Sequence, residues 1–372
     1  SDICNHSPPK APNIRDQTMT HRKPFFDGHN DFLLRLMMSP ASREDTWLGE
    51  TGRGHLALKR MQKRGFAGGL FAIFVPPVSD GPPPDFSTIM ANPPYDIPLP
   101  PLMTHEPAQP VAMAMAGLFH WMERAAPTEF KVCRTAAEVR STIAEEIIAG
   151  VLHMEGAEAI GPDLDALYLF HDMGLRSLGP VWSRPTIFGH GVPISFPGSP
   201  DIGDGLTEKG KDLVRLCNQL GIMIDLSHMN EAGFNDVAAL SNAPLVATHS
   251  NAHAQCASPR NLTDRQRGMI RDSGGMVGLN YATFFLNPDG TASDETGWDI
   301  ITKHLDHLIE HLGEDHVGLG SDFDGCVVPK GIGDVTGVPN LFQALSDRGY
   351  DDAILDKLAL ENWLSCLDRS LT

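Results

Sequence analysis

Short apolar or β-branched runs alternate with longer amphipathic segments along most of this chain. Eight runs have the length and composition of buried β-strands, at residues 25–31, 66–75, 150–155, 175–182, 222–228, 245–250, 275–281 and 316–322. Segments with helical periodicity lie between many of them, at residues 135–148, 208–220, 230–240, 263–272 and 298–312. Strands that alternate with helices in this way indicate parallel β-α units rather than a β-sandwich.

The number of β-α units favours a closed architecture. Eight units in about 300 residues are typical of a (β/α)8 TIM barrel. The alternative is a doubly wound open sheet, which normally carries a glycine-rich phosphate loop after its first strand. Here the first strand ends in the string DGHND, residues 27–31. We therefore predict an α/β protein in which residues 24–372 form a single barrel domain and residues 1–23 form a peripheral N-terminal arm.

One stretch interrupts this alternation. Residues 76–110 contain twelve prolines and little periodicity, so we predict a loop inserted after the second strand. A loop in that position rises from the face of a barrel that usually carries the active site, which indicates a rim or a lid. The alternative is a proline-rich surface loop without a functional role.

The composition is that of a folded protein with an apolar core and an acidic surface. Hydrophobic residues make up 41% and charged residues 20% of the 372 residues, which is ordinary for a globular protein. The formal net charge of −18, without a Lys/Arg-rich run, repels phosphate backbones and anionic membranes. We therefore expect neither nucleic acid nor a membrane surface as a partner.

Cysteines and targeting signals add little to this picture. The six cysteines, at positions 4, 133, 217, 256, 326 and 366, form no C-x-x-C pair, so we expect reduced side chains and no cysteine-built zinc site. No segment reaches about 18 apolar residues, the N-terminus lacks an apolar signal core, and no hydrophobic tail ends the chain. These features predict a cytoplasmic protein without a membrane span or lipid anchor, and they leave open whether it forms a homodimer.

Polar side chains of the metal-ligand type end several of the predicted strands. His29 and Asp31 are two residues apart at the end of the first strand, so an extended backbone places them on one face. Glu155 ends the third strand, where a buried carboxylate is costly unless a cation compensates it. His228 and His249 end the fifth and sixth strands. Taken singly, each has a structural explanation: a turn or cap, a core ion pair, or a hydrogen-bonded histidine.

Their joint placement favours chemistry. Asp322 ends the eighth strand and adds a carboxylate at the same end of the barrel. Residues at the C-terminal ends of barrel strands are typically catalytic, whereas residues at the opposite face serve stability. A set of imidazoles and carboxylates without a thiolate suits zinc or a similar divalent ion. The sequence therefore predicts a divalent-metal site at the mouth of the barrel.

The same positions carry a resemblance to a known family. The strings DGHND, HMEG, IDLSH, THSNAHAQCASPRN and GSDFDG, in this order, are similar to the motifs of the membrane (renal) dipeptidase family, the M19-type metallopeptidases. The likeness spans roughly residues 24–370, and the strings are specific in combination rather than singly. It implies a TIM barrel of the metal-dependent hydrolase type that cuts dipeptides.

The resemblance further implies a binuclear zinc site. One zinc ion would be bound by His29, Asp31 and Glu155, and the second by Glu155, His228 and His249. Glu155 and a water or hydroxide would bridge the two ions.

Two more residues would complete the reaction under this resemblance. Two zinc ions about 3.5–4 Å apart lower the pKa of a shared water toward about 7, and Asp322 would pass its proton to the departing amine. Arg260 would hold the C-terminal carboxylate of the dipeptide, because its guanidinium is planar and permanently charged. A surface arginine is the alternative for Arg260. The substrates implied are L-Xaa-L-Xaa dipeptides, with L-Xaa-D-Xaa dipeptides as an extension.

One position departs from the family pattern and leaves alternatives open. The fourth strand often ends in L-T-L-T-H in the family, with the histidine on the substrate carbonyl, whereas Trp182 stands in its place here. His190 in the following loop could substitute for that histidine or face solvent, and Trp182 could wall the pocket. The alternative activities are those of a related binuclear amidohydrolase acting on a cyclic amide, lactone or N-acyl amino acid. A catalytically silent binding barrel is a further alternative, against which the complete ligand set argues.

Overall fold

The computed structural model describes residues 23–50, 53–77 and 85–371, so nearly all of the predicted arm, residues 1–23, lies outside the described residues. Within them, strands alternate with helices. The strands are β1 (Phe25–Asn30), β2 (Phe66–Phe74), β3 (Tyr95–Ile97), β4 (Phe130–Val132), β5 (Ile148–Glu155), β6 (Leu175–Gly179), β7 (Ile194–Phe196), β8 (Met223–Ile224), β9 (Val246–Ala247), β10 (Met276–Leu279) and β11 (Val317–Leu319).

Eight of these strands form a parallel barrel. Neighbouring strands pair in the order β8-β6-β5-β2-β1-β11-β10-β9. The ring closes between β8 and β9, where Asp225 forms a parallel bridge with Val246 and the backbone N–H of Leu226 donates to the carbonyl of Val246 at 2.8 Å. The eight barrel strands are the eight apolar runs, and the predicted α/β (β/α)8 TIM barrel is confirmed.

The later strands are shorter than the apolar runs that predict them. β8 and β9 have two residues each, whereas the runs extend over residues 222–228 and 245–250. After β8 the Asp225 carboxylate accepts a hydrogen bond from the backbone N–H of Ser227 at 3.0 Å. This Asx-type bond turns the chain out of the barrel wall, because it replaces a bond to a neighbouring strand. The polar ends of these runs therefore lie in tight turns at the barrel mouth.

The proline-rich segment 76–110 contains more regular structure than the predicted loop. Within its described part lie the helix Phe86–Met90, strand β3 and the start of the helix His105–Ala125. β3 pairs antiparallel with β7, outside the barrel. The prolines hide the long helix in the sequence, although Pro107 occupies its first turn, where backbone N–H groups need no helical partner.

Helices surround the barrel and begin at residues that cap them. The side chains of Thr135, Thr207, Asn230 and Thr263 each accept a hydrogen bond from a backbone N–H in the first turn of a helix. The α-helices are Phe32–Met38, Arg43–Leu48, Leu58–Lys63, Phe86–Met90, His105–Ala125, Ala136–Ala144, Asp165–Asp172, Glu208–Leu220, Glu231–Leu240, Asp264–Asp272, Thr283–Leu286, Trp298–Leu312, Val338–Asp347, Asp352–Asp356 and Asn362–Ser370.

An apolar cluster joins the barrel strands to the C-terminal helix Asn362–Ser370. Trp363 of this helix is fully buried, and its indole N–H donates to the carbonyl of Leu319 at 2.8 Å. The strand residues of the cluster include Phe26, Leu70, Val151, Met223, Val246 and Met276. These apolar residues precede the polar strand ends in sequence, so the core fills the barrel below its mouth.

The sequence also led to expectations about membrane spans and about the state of the cysteines. None of the helices in the described ranges is both long enough and apolar enough to cross a lipid bilayer. The five cysteines within those ranges are free, and all but the half-buried Cys326 are buried.

Candidate metal centre

The structure brings the predicted ligand residues to one end of the barrel. His29 lies within β1, Asp31 follows that strand directly, and Glu155 is the last residue of β5. His228 and His249 lie in the turns after β8 and β9 rather than in the strands themselves. The assignment of these two histidines to strands is therefore wrong, but their placement at the barrel mouth is correct.

Three imidazoles converge on a single carboxylate oxygen. Glu155 Oε1 lies 2.9 Å from His228 Nε2, 3.2 Å from His249 Nε2 and 3.7 Å from His29 Nε2. The rings of His29 and His249 stack with centroids 3.8 Å apart. All four side chains are buried. Glu155 therefore lies at the centre of the cluster.

A second group of potential ligands shares His29. Its Nε2 lies 3.7 Å from Asp31 Oδ2. The ligand atoms of His29, Asp31 and Asp322 all lie within 4.8 Å of one another, as do those of His29, Glu155 and His249. The two groups share His29 and together form one continuous set of potential ligands.

Several buried polar atoms of the cluster lack a hydrogen-bond partner among the described residues. They are both ring nitrogens of His29 and Oδ1 of Asp31. Buried polar groups are almost always paired, because an unpaired one loses its hydration without compensation. Imidazole nitrogens and carboxylate oxygens that face one another across a buried gap fit a divalent cation as the missing partner.

The charges of the cluster also favour a cation. Burial raises the pKa of the Glu155 carboxyl well above its ordinary value, and the carboxylates of Asp31 and Asp322 raise it further. Burial raises the pKa of Asp322 to about 6. Burial also holds the pKa of His228 and His249 well below their ordinary value, so both rings are neutral, the form that binds metals. A bound cation would offset the crowded carboxylates.

Arg260 is a buried residue of the site and not a surface arginine. It is 3% exposed, and its guanidinium donates to Ser250 Oγ at 3.1 Å and to the carbonyl of His249 at 2.9 Å. Its Nε has no partner among the described residues, and the guanidinium carbon lies 5.2 Å from the centre of the Phe285 ring. Burial lowers its pKa, which the charges of Asp322 and Glu155 counteract. A fixed cation thus lies beside the acidic cluster.

The backbone of the mouth is strained at two site residues. His228 has a φ of 69° and Asp322 a φ of 59°, in the left-handed region that side chains other than glycine rarely adopt. Such conformations cost of order 1–3 kcal/mol each and concentrate at functional sites. A Cβ on Gly325 would lie 2.0 Å from Asp31 Oδ2 and 2.5 Å from Asp322 Oδ1. Glycine at position 325 therefore lets both carboxylates approach.

The departure at Trp182 has a defined structural setting. The indole packs against Phe74 with centroids 5.0 Å apart and against the ring of His228 at 6.0 Å. Arg184, which forms a buried ion pair with Glu158 at 2.8 Å, lies over the indole at 5.8 Å. Trp182 is therefore a wall beside the cluster.

A role of His190 in place of the family histidine stays a prediction, because that role would be a contact with the substrate. It is half-buried, and its backbone carbonyl accepts from the N–H of Asn230 at 3.3 Å. No hydrogen bond joins its imidazole to the cluster among the described residues.

Sequence reasoning missed the polar residues that hold the ligands. Ser183 Oγ lies 2.8 Å from His228 Nδ1, and Thr248 Oγ1 lies 2.8 Å from His249 Nδ1. Asn280 donates to Asp322 Oδ2 at 3.0 Å. A serine, threonine or asparagine near a strand end has no distinctive sequence signal, although Thr248 directly precedes His249 in the string THS.

A second histidine and aspartate group lies elsewhere on the surface. The potential ligand atoms of Asp264, His307 and His311 are close together, but this group is partly exposed. The guanidinium of Arg267 contacts both Asp264 and His307. An arginine cation already occupies the place of an ion there.

Comparisons with known proteins identify relatives of this chain. The sequence profile of the family described as Membrane dipeptidase (Peptidase family M19) matches residues 14–370. One relative is a dipeptidase, a metallopeptidase of family M19, whose crystal structure matches this chain with a TM-score of 0.91 and 64% sequence identity. The alignment covers 94% of this chain and 99% of the relative.

Two further relatives extend the comparison. A metallopeptidase from Rhodobacter sphaeroides, solved with a phosphinate mimic of the dipeptide L-Ala-D-Ala, has 62% identity and a TM-score of 0.91, with coverage of 94% of this chain and 99% of that chain. An uncharacterised protein from the pqqA 5′ region of Klebsiella pneumoniae is 49% identical over 237 residues, which are 64% of this chain and 88% of that protein.

Proposed function

Because this chain belongs to the membrane dipeptidase family, peptidase family M19, and is thus a metallo-dipeptidase, we propose that it hydrolyses dipeptides with two zinc ions bound around Glu155. The observation that carries the proposal is the convergence of three buried imidazoles on Glu155 Oε1 within 3.7 Å. In the proposed assignment, His29 and Asp31 hold one ion and His228 and His249 hold the other. Glu155 would be a ligand of both ions.

The ligand chemistry supports zinc. The set combines imidazoles and carboxylates without thiolates, which suits zinc or a similar divalent ion. When bound, a zinc pair supplies a Lewis acid for the peptide carbonyl and lowers the pKa of water toward about 7, so that hydroxide is available near neutral pH. The protein residues then have three tasks: to orient the dipeptide, to move the proton and to limit the size of the substrate.

Asp322 is the proposed proton carrier. Its carboxylate lies beside His29 and Asp31, and the amide of Asn280 donates to its Oδ2 at 3.0 Å. This bond holds the carboxylate in place, and the carboxylate can accept a proton from the attacking water. The same carboxyl group can then give the proton to the nitrogen of the departing amine.

Arg260 is the proposed anchor for the C-terminal carboxylate of the dipeptide. Its guanidinium is fixed by Ser250 and by the carbonyl of His249, and its Nε lacks a partner among the described residues. A buried guanidinium that is held in place discriminates strongly between a free carboxylate and a neutral amide. This arrangement favours dipeptides over longer peptides, in which the second residue has a peptide bond in place of a free carboxylate.

The proposed substrates include small L,L- and L,D-dipeptides. The Rhodobacter sphaeroides relative was solved with a mimic of L-Ala-D-Ala, which supports tolerance of a D-residue at the C-terminal position. Trp182 fills space beside His228 and Phe74, which favours compact side chains near that wall.

A substrate panel tests the proposal. The zinc-loaded protein is incubated with L-Ala-L-Ala, L-Ala-D-Ala, bulkier dipeptides, N-acetyl-alanine and a lactone, and the hydrolysis products are measured: free amino acids, or the hydroxy acid from the lactone. We expect fast release from the small dipeptides and none from the N-acyl amino acid or lactone. Turnover of the lactone or N-acyl substrate alone would assign the site to the related amidohydrolase activity.

A further inference from the structure

Two residues of the site strings have no part in the proposed reaction. Asp225 lies in the string IDLSH, and Thr248 directly precedes His249. Both are buried, with exposures of 1% and 0%. Both lie on the Nδ1 side of the His249 ring, where Thr248 Oγ1 is 2.8 Å and Asp225 Oδ2 is 4.0 Å from Nδ1, whereas Glu155 faces the Nε2 side. They therefore lie on the side of the ring opposite the proposed metal-binding nitrogen, where they can affect its tautomer and orientation.

The Asp225 carboxylate is surrounded by hydrogen-bond donors. Its Oδ1 accepts from the backbone N–H of Ser227 at 3.0 Å and of Thr248 at 2.9 Å. Its Oδ2 accepts from the Thr248 hydroxyl at 2.6 Å, a length typical of a bond from a hydroxyl to an ionised carboxylate. His153 Nε2 lies 3.6 Å from the same oxygen, which is too far for a hydrogen bond.

These bonds determine where the proton of His249 lies. A threonine hydroxyl has one proton, and Thr248 donates it to Asp225. The Thr248 oxygen, 2.8 Å from His249 Nδ1, must then accept a hydrogen bond from Nδ1–H. The opposite arrangement would leave two oxygens 2.6 Å apart without a proton between them. A neutral His249 therefore carries its proton on Nδ1, and its unprotonated Nε2 lies among the other potential ligands, 3.2 Å from Glu155 Oε1 and 3.3 Å from His228 Nε2.

We propose that Asp225 and Thr248 form a positioning relay, in which the carboxylate acts through the hydroxyl to set the tautomer and orientation of His249 for metal binding. The inference rests on the proposed function, since it takes His249 as a metal ligand. Partners that hold a ligating histidine from behind raise its basicity and fix its ring. Asp225 and Thr248 touch neither substrate nor metal, so they are positioning residues and not catalytic ones.

Replacement of Thr248 by valine tests the relay. Thr248→Val keeps the shape of the side chain and removes the hydroxyl, whereas Thr248→Ser keeps the hydroxyl. Zinc affinity is measured by competition with a chromophoric chelator, starting from metal-free protein. We expect Thr248→Val to weaken the binding of one zinc ion by about 10–100-fold and the other much less, and Thr248→Ser to bind like the wild type.

A matched control separates the relay from a general effect on packing. Thr302 is also buried, and its hydroxyl donates to a helix carbonyl, that of Asp299, at 3.2 Å. Thr302→Val should leave both zinc affinities unchanged. If Thr248→Val binds both ions like the wild type, or weakens both equally, the relay is refuted. A wild-type protein that binds no zinc would refute the proposed function and the relay together.

A spectroscopic measurement keeps the inference testable if Thr248→Val does not fold. The ¹⁵N chemical shifts of the histidine rings report which nitrogen carries the proton, and His249 is assigned by comparison with His249→Gln. In metal-free protein we expect the His249 proton on Nδ1. A proton on Nε2 would overturn the relay.

Discussion

At the scale of single residues, the site depends on buried charges that neighbouring groups hold in place. Glu155 is 5% exposed and has three imidazoles within 3.7 Å of one oxygen. Its carboxylate, with those of Asp31 and Asp322, forms an acidic centre with Arg260 as a nearby fixed cation. Substitutions at single residues should therefore separate proton transfer from substrate anchoring.

Asp322→Asn should remove the proton carrier while keeping the size of the side chain. We expect kcat to fall by about 10²–10⁴-fold, because an amide cannot accept the proton. Zinc content, measured by elemental analysis, should stay at the wild-type value, and the exposed Asp299→Asn serves as the matched control. Near-normal kcat would exclude the role, and the loss of an ion would make Asp322 a metal ligand instead.

Arg260→Ala should weaken binding of the free carboxylate of the dipeptide. Loss of one partner of a buried charged pair costs about 2–5 kcal/mol, which should appear mainly as a higher KM. Arg260→Lys should recover part of the loss, since it keeps the charge without the planar fork. Steady-state kinetics on dipeptides and on their C-terminal amides provide the test. Equal effects on both substrates would contradict carboxylate recognition.

At the scale of elements, the site residues lie in short turns after the barrel strands. The hydrogen bonds that hold these turns in place come from residues outside the site. Asp324 has a φ of 66° and accepts hydrogen bonds from Arg35 Nη1 at 2.9 Å and from the backbone N–H of His55 at 2.7 Å. These bonds tie the turn that carries Asp322 to segments after β1. The C-terminal helix supports the same strands from the core through Trp363 and Leu319.

Trp363→Ala should destabilise the barrel through this helix. Removal of a large buried aromatic side chain costs about 3–5 kcal/mol in the free energy of unfolding, and here an indole hydrogen bond is lost as well. The half-buried Trp298→Ala is the matched control and should cost clearly less. Urea unfolding followed by circular dichroism measures both. If Trp363→Ala lowers the free energy of unfolding no more than Trp298→Ala does, the C-terminal helix does not stabilise the barrel through Trp363.

The sequence predicted the elements better than their ends. All eight barrel strands appear where apolar runs indicated them, because burial of parallel strands leaves a strong pattern. β8 and β9 end earlier than their apolar runs predict, because the Asp225 carboxylate accepts backbone N–H groups just after both strands, from Ser227 and Thr248. Segment 76–110 was predicted as a loop because its prolines masked the helix His105–Ala125. Residues behind the ligands, such as Asp225, act through contacts with the neighbouring strand, which the sequence alone does not reveal.

At the scale of the whole molecule, the proposed metals would be part of the stability of the barrel. Without them, carboxylates crowd together at the mouth of a chain whose net charge is already −18. A ligand that binds only the folded state stabilises it by about 2.7 kcal/mol at a hundredfold excess over its Kd. Metal occupancy should therefore affect both activity and the melting temperature.

Removal of metal with a chelator should abolish dipeptide hydrolysis and lower the Tm. Added zinc should restore both, and chelator that is already saturated with zinc should have no effect. Activity assays and differential scanning calorimetry on the same samples provide the measurement. Full activity in metal-free protein would contradict a metal role in the reaction.

The most direct test of the central claim is an anomalous diffraction experiment at the zinc absorption edge on crystals of the zinc-loaded protein. We predict two peaks about 3.5–4 Å apart on either side of Glu155, one beside His29 and Asp31 and the other beside His228 and His249. A single peak, or peaks away from Glu155, would contradict this prediction.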